Sequence, residues 1–132
     1  MILKPIKGFN AFGYVFKAGK KISNNDALMV VCKKEILEMQ KKNNTSNCID
    51  CIYYGVTVPK KIAKKAVVRN RIKRLMRESL RKYFNNLEGD FEIQIKYLII
   101  VWKYAPAHPA LIGFNNVYPA IESLLNRYLK IK

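Results

Sequence analysis

Acidic residues are scarce in this 132-residue chain, nine Asp and Glu against 25 Lys and Arg, and histidine occurs once, as His108. So few carboxylates and imidazoles supply no cluster able to cage a metal ion or run acid–base chemistry, so an autonomous nuclease is not expected. Long apolar runs are missing too. None is longer than the six residues of Tyr97–Trp102 (YLIIVW), too short to cross a bilayer, and the opening MILKPIKGFN lacks the apolar stretch and small-residue cleavage site of a signal peptide. Cysteine is limited to Cys32, Cys48 and Cys51. Three is an odd number outside any secretory pattern, so free thiols in a reducing cytoplasm are expected. Cys48-x-x-Cys51 lacks the second pair, or the suitably placed His residues, that a zinc site needs.

What remains is apolar and basic. Half the residues are hydrophobic, with eight Tyr and six Phe, enough to form a packed core, and the length suits one domain over 1–132. The formal net charge is +16. Such an excess repels itself, and a polyanion relieves the repulsion by counterion release, which makes nucleic acid the first partner class and an anionic membrane surface the second.

Local patterns divide the chain into elements, with no internal repeat. Phe9, Phe12 and Phe16 recur at helical spacing between Asn10 and Gly19, predicting a short helix over about 9–18. ALMVVCK (27–33) and IYYGVTV (52–58) read as strands, expected to pair as antiparallel neighbours across a polar surface loop at 35–50. After Pro59 a lysine loop leads into a helix over 66–85, and YLIIVW reads as a strand buried on both faces that FEIQI (91–95) extends or precedes. Asn115 or Asn116 caps a last helix with Pro119 in its first turn. The order α, β, β, α, β, α indicates helices packed on a small mixed sheet.

The 66–85 helix has two faces. At about 100° per residue, Val68, Ile72, Leu75, Met76, Ser79, Leu80 and Tyr83 share one arc, while Asn70, Lys73, Arg74, Arg77 and Arg81 form a ridge opposite its centre. Arg69 projects at about 100°, between Met76 and Leu80 on the apolar arc, so near the helix start it is expected to overhang the sheet edge instead of joining the ridge. From Lys60 to Lys82 eleven basic residues meet one acid, Glu78. A helix that needed only solvation would mix signs to gain i,i+4 pairs, so this concentration points to phosphate. Guanidinium groups suit it because their planar forks match phosphate oxygens and base edges. A basic face alone is weak evidence, since plain solvation or a protein partner accounts for a minority of such faces. The rival functional classes are a ribosomal-type structural RNA-binding protein and, less well supported, a helix-turn-helix DNA regulator, since strand and lysine loop precede the helix.

The stretch VPKKIAKKAVVRNRIKRLMRES, residues 58–79, resembles the signature of the bacterial ribonuclease P protein subunit, in which an Arg-Asn-Arg helix follows a strand ending in Lys-Lys. AFGYVFKAGK (11–20) is similar to that family's Phe-x-x-Val-Phe-Lys-x-Gly block at Phe12, Val15, Phe16, Lys17 and Gly19. The resemblance runs over roughly 9–33 and 52–129. It implies an α+β sandwich, a four-stranded mixed sheet with helices packed on it, similar to the second domain of ribosomal protein S5, with a left-handed βαβ crossover through the basic helix. Periodicity shows none of that handedness.

The same resemblance implies a monomer in a 1:1 complex with the catalytic RNA of ribonuclease P, which removes the 5′ leader of precursor tRNA while the RNA holds most of the Mg²⁺ and does the chemistry. Lys60, Lys61, Lys64, Lys65, Arg69, Asn70, Arg71, Lys73, Arg74, Arg77 and Arg81 would bind RNA. Phe12, Phe16, Lys17 and Tyr54 would line a leader cleft between the first helix and the sheet. ALMVVC lacks an aromatic that many members carry in the cleft: either Tyr53 or Tyr54 replaces it, with Tyr54 placed there, or leader stacking is weaker. Physics fits this division of labour. A leader of arbitrary sequence is best held by backbone-tracking cations and aromatic faces, and cations near the RNA's metal site would lower the Mg²⁺ requirement by offsetting phosphate repulsion.

Overall fold

The computed structural model describes residues 2–7, 10–33, 51–87, 95–106 and 108–129. The expected loop at 35–50 and residues 91–94 of FEIQI lie outside them. In chain order the elements are β1 (Ile2–Pro5), α1 (Ala11–Ala18), β2 (Lys20–Ser23), β3 (Ala27–Cys32), β4 (Cys51–Thr57), α2 (Ala66–Asn85), β5 (Tyr97–Trp102), a 3-10 turn (Pro109–Leu111) and α3 (Phe114–Leu129). The strands form one mixed sheet in the order β1-β4-β5-β3-β2.

Two expectations are corrected by that order. The sheet has five strands, and β3 and β4 do not pair: β5 lies between them, parallel to β4 and antiparallel to β3. YLIIVW is apolar throughout, and burial on both faces favours an interior position, with a neighbour on either side. Four-residue β1 (ILKP) and β2 (KKIS) form the edges. Short strands carrying Lys or Pro suit an edge, where unpaired backbone groups would otherwise recruit another chain. The parallel neighbours β4 and β5 are joined by a crossover through α2, as the element order requires.

Side-chain alternation divides the sheet between two layers. Met29, Val31, Ile52, Tyr54, Val56, Leu98, Ile100 and Trp102 pack with α2 and α3, whereas Val30, Cys32, Cys51, Tyr53, Tyr97 and Ile99 pack with Ala11 and Val15 of α1. Helix α1 therefore lies on one face, α2 and α3 on the other. Where α1 ends, Gly19 passes so close to β3 that a Cβ there would sit 2.6 Å from Val30 Cγ1.

Polar ties fix the α3 layer. Asn24 Oδ1 accepts the amides of Asp26 (2.9 Å) and Ala27 (2.8 Å), folding the β2–β3 turn, while its Nδ2 donates to the Ala120 carbonyl at 3.1 Å. Helix α3 begins at Phe114, ahead of the expected caps, so Pro119 falls inside the helix beyond its first turn. Asn116 still helps close the end: its Oδ1 accepts the Gly113 amide at 2.8 Å, as the third-residue side chain of a capping box does. Cys32 is buried and outside any disulfide, as expected, but Cys51 is disulfide-bonded, against the expectation of free thiols throughout. Cys48 lies outside the described residues.

Candidate nucleic-acid interface

Helix α2 buries Val68, Ile72, Leu75, Met76, Ser79, Leu80 and Tyr83, the arc predicted from periodicity, and adds Phe84. Ser79 satisfies its buried hydroxyl by donating to the Leu75 carbonyl at 2.7 Å. With that face on the sheet, Asn70, Arg74 and Arg81 are exposed, and Lys73 and Arg77 half-buried. The ion pair on this ridge, Arg74 to Glu78 at 3.8 Å, joins side chains 61% and 48% exposed, so it holds Arg74 weakly.

The Arg-Asn-Arg triplet does not present three equivalent side chains. Arg69 turns back on the lysine loop, its Nη1 donating to the carbonyls of Ala63 (2.7 Å) and Lys64 (2.9 Å). Arg71 donates from Nε to the Ile112 carbonyl at 2.8 Å, tying the segment before α3 to α2. Only Asn70 of the three is exposed outright. The loop held by Arg69 is compact: the amides of Ile62 and Ala63 both donate to the Pro59 carbonyl, at 3.0 and 3.1 Å, and Ala63 is buried. Lys60, Lys61, Lys64 and Lys65 are consequently all displayed to solvent. The first turn of α2 has no acidic residue and its cap position, Lys65, makes no side-chain cap bond. The positive end of the helix and these lysines thus add their potentials.

On the opposite face, Phe12 and Phe16 are half-buried against the α1-side core and Lys17 is exposed. The Phe12 ring lies over Gly55 of β4 so closely that a Cβ on that glycine would collide with it. Tyr54 is not in this layer. It shares its face with Ile52 and Val56, 9% exposed in the core under α2 and α3, so its assignment to the cleft is corrected by the strand's alternation. Tyr53 is the residue on the α1 side, its ring 5.7 Å from that of Tyr97 and 5.3 Å from Lys96 Nζ. A half-exposed row, Thr57, Val101 and Leu28, lies in register on this same face, and Lys103 follows on, its Nζ donating to the Asn24 carbonyl at 2.6 Å. These residues escaped the motif. Parity within IYYGVTV was the signal that could have separated Tyr53 from Tyr54.

Among the described residues no three His, Cys, Asp or Glu side chains come together to hold a metal ion. The described side chains do not form a Mg²⁺ cage. No helix among them is long and apolar enough to cross a membrane.

A five-stranded mixed sheet, one helix bearing aromatics on one face and a basic helix on the other define an α+β binding module for polyanions. The family model for ribonuclease P matches residues 4–128, and the chain belongs to that family, the ribonuclease P protein components. The Prochlorococcus marinus ribonuclease P protein component is 32% identical over 79 residues, spanning 58% of this chain and 60% of its own length. That of Rickettsia prowazekii is 31% identical over 102 residues, 76% of each. The Staphylococcus aureus RNase P protein shares the fold with a TM-score of 0.64 over 94% of both chains at 23% identity. The Thermotoga maritima RNase P protein, solved with 1-(4-fluorophenyl)-2-thiourea, gives 0.60 over 88% of this chain and 92% of its own at 21% identity.

Proposed function

We propose that this chain is the protein subunit of a ribonuclease P holoenzyme, an endoribonuclease that removes the 5′ leader of precursor tRNA. The family match over residues 4–128 carries the reading, and the placement of the basic side chains supports it. Phosphodiester hydrolysis and the Mg²⁺ it uses belong to the RNA subunit in this reading, and the protein contributes binding and charge. Asn70, Lys73, Arg74, Arg77 and Arg81 meet the catalytic RNA. Lys60, Lys61, Lys64 and Lys65 meet phosphates near the start of α2, where Arg69 holds their loop in shape and Arg71 braces the helix against the segment before α3. The leader lies on the α1 side, along Phe12, Phe16 and Lys17 and over the half-exposed row of Thr57, Val101 and Leu28. Its bases can stack on the Phe rings whatever its sequence. The complex holds one protein per RNA, in the cytoplasm.

Reconstitution tests this directly. Added to a bacterial ribonuclease P RNA at limiting Mg²⁺, the protein is expected to stimulate precursor tRNA cleavage. A folded protein that binds the RNA without stimulating would instead be a structural RNA-binding protein.

A further inference from the structure

One feature of α2 has no place in phosphate binding. Val67 is 59% exposed in the middle of the most basic stretch of the chain, at a position where a lysine would serve phosphate better. Val67, Asn70, Arg71 and Arg74 lie at i, i+3, i+4 and i+7, so they form one stripe on the helix. Together they line a shallow depression of about 380 Å³. Its chemistry is mixed in a particular way: an apolar floor from Val67, an exposed amide at Asn70, and two guanidinium groups. Arg71 is already fixed by its 2.8 Å bond to the Ile112 carbonyl, so little side-chain freedom remains to be lost on binding there.

We propose that this depression receives one unpaired nucleobase of the RNA partner. The proposal rests on the RNA-binding reading of α2 and adds a base-contacting subsite to it. An unstacked base offers a flat apolar face and an edge of donors and acceptors. Val67 meets the face, the Asn70 amide pairs with the edge, donating and accepting at once, and Arg74 at the rim meets the phosphate of the same nucleotide. A phosphate would use the arginines and leave Val67 and the acceptor half of the amide unused. The charge that brings RNA to the stripe comes from the surrounding basic residues, while the depression supplies what the charge lacks, a preference for a splayed-out base over duplex.

Counterion release separates the two kinds of contact. Affinity of the full chain for a bacterial ribonuclease P RNA is measured over a salt series for wild type, Val67→Ala and Arg74→Ala, with dimethyl sulfate footprinting of the RNA. Val67→Ala raises helix propensity at an exposed site, so the variant folds. It is expected to weaken binding about fivefold at every salt concentration, from the apolar area no longer covered, with an unchanged slope. One base protected by wild type becomes reactive. Arg74→Ala, by contrast, lowers the slope by about one. Affinity within twofold of wild type for Val67→Ala, with a normal Arg74→Ala response, overturns the base subsite and leaves the RNA reading intact. If Arg74→Ala is silent as well, the RNA reading of the ridge fails.

Discussion

Two residues of the basic triplet act as braces. Arg69 and Arg71 give their guanidinium hydrogens to the carbonyls of Ala63, Lys64 and Ile112, so each shapes a neighbouring segment while keeping its charge near the surface. Arg69→Ala is expected to cost about 1 kcal/mol of stability, the net worth of such bonds at a part-exposed site. The change should show locally, as faster hydrogen exchange at the Ile62 and Ala63 amides. Arg69→Lys should not restore protection, because lysine is one atom shorter and does not carry its nitrogen to the place from which Nη1 reaches both carbonyls. A second residue-scale test concerns Tyr83, whose hydroxyl donates to Asn126 Oδ1 at 2.7 Å. Burial, helped by the negative charge of Glu122, pushes its phenol up from 10.0 to about 12. A folded-state value above the unfolded one favours the neutral phenol. The stabilisation is therefore fully present below pH 10 and is lost as pH rises from 10 towards 12. Denaturation followed by the fluorescence of the single tryptophan, Trp102, should show a steeper alkaline loss in wild type than in Tyr83→Phe.

At the scale of elements, α2 and β5 were legible because each has a period that admits one reading. Seven apolar or small residues on one arc and six consecutive apolar residues leave little choice, and both elements fall on the predicted bounds. β1 and β2 were not legible. KKIS has one apolar residue among four, and its strand state comes from pairing with β3, a long-range cause that no local pattern carries. The β3–β4 pairing failed for a related reason: proximity in sequence favours neighbours, but β5, from much later in the chain, fits better between them. Within the candidate site, residue types were readable and directions less so. The ridge at Asn70, Lys73, Arg74, Arg77 and Arg81 follows from helical geometry, whereas the turns of Arg69 and Arg71 depend on carbonyls in other segments, and Tyr54 needed the strand's register. The seat of α1 on β4 gives a prediction at this scale. Gly55→Ala pushes a methyl into the Phe12 ring and should destabilise the protein by about 1–3 kcal/mol. Pairing it with Phe12→Leu should recover part of that loss in chemical denaturation, a coupling absent if the helix simply shifts.

For the whole molecule, the dominant number is the net charge of +16. Lowering the Debye length from about 30 Å at 0.01 M salt to about 8 Å at 0.15 M should raise the melting temperature, because most of the repulsion is between exposed cations. The same change should weaken RNA binding. Opposite responses to one variable are the expected mark of a surface whose charge serves a partner at the fold's expense. If melting is insensitive to salt, the cations are far enough apart to ignore one another, and the case for concentrated potential on α2 weakens.

The strand order carries a further consequence, in time. Among the described strands, β5 is the centre of the sheet and the last to be made. Until Trp102 has been synthesised, the only native pairings open to the described strands are β1 with β4 and β2 with β3, and each would leave an inner edge bare. At about 5–20 residues per second, adding residues 58–102 takes some seconds. During that interval the apolar edges of β3 and β4 are open to any other strand, and closure waits on a single late segment. The nascent chain is thus most vulnerable to mispairing just before it becomes complete enough to fold.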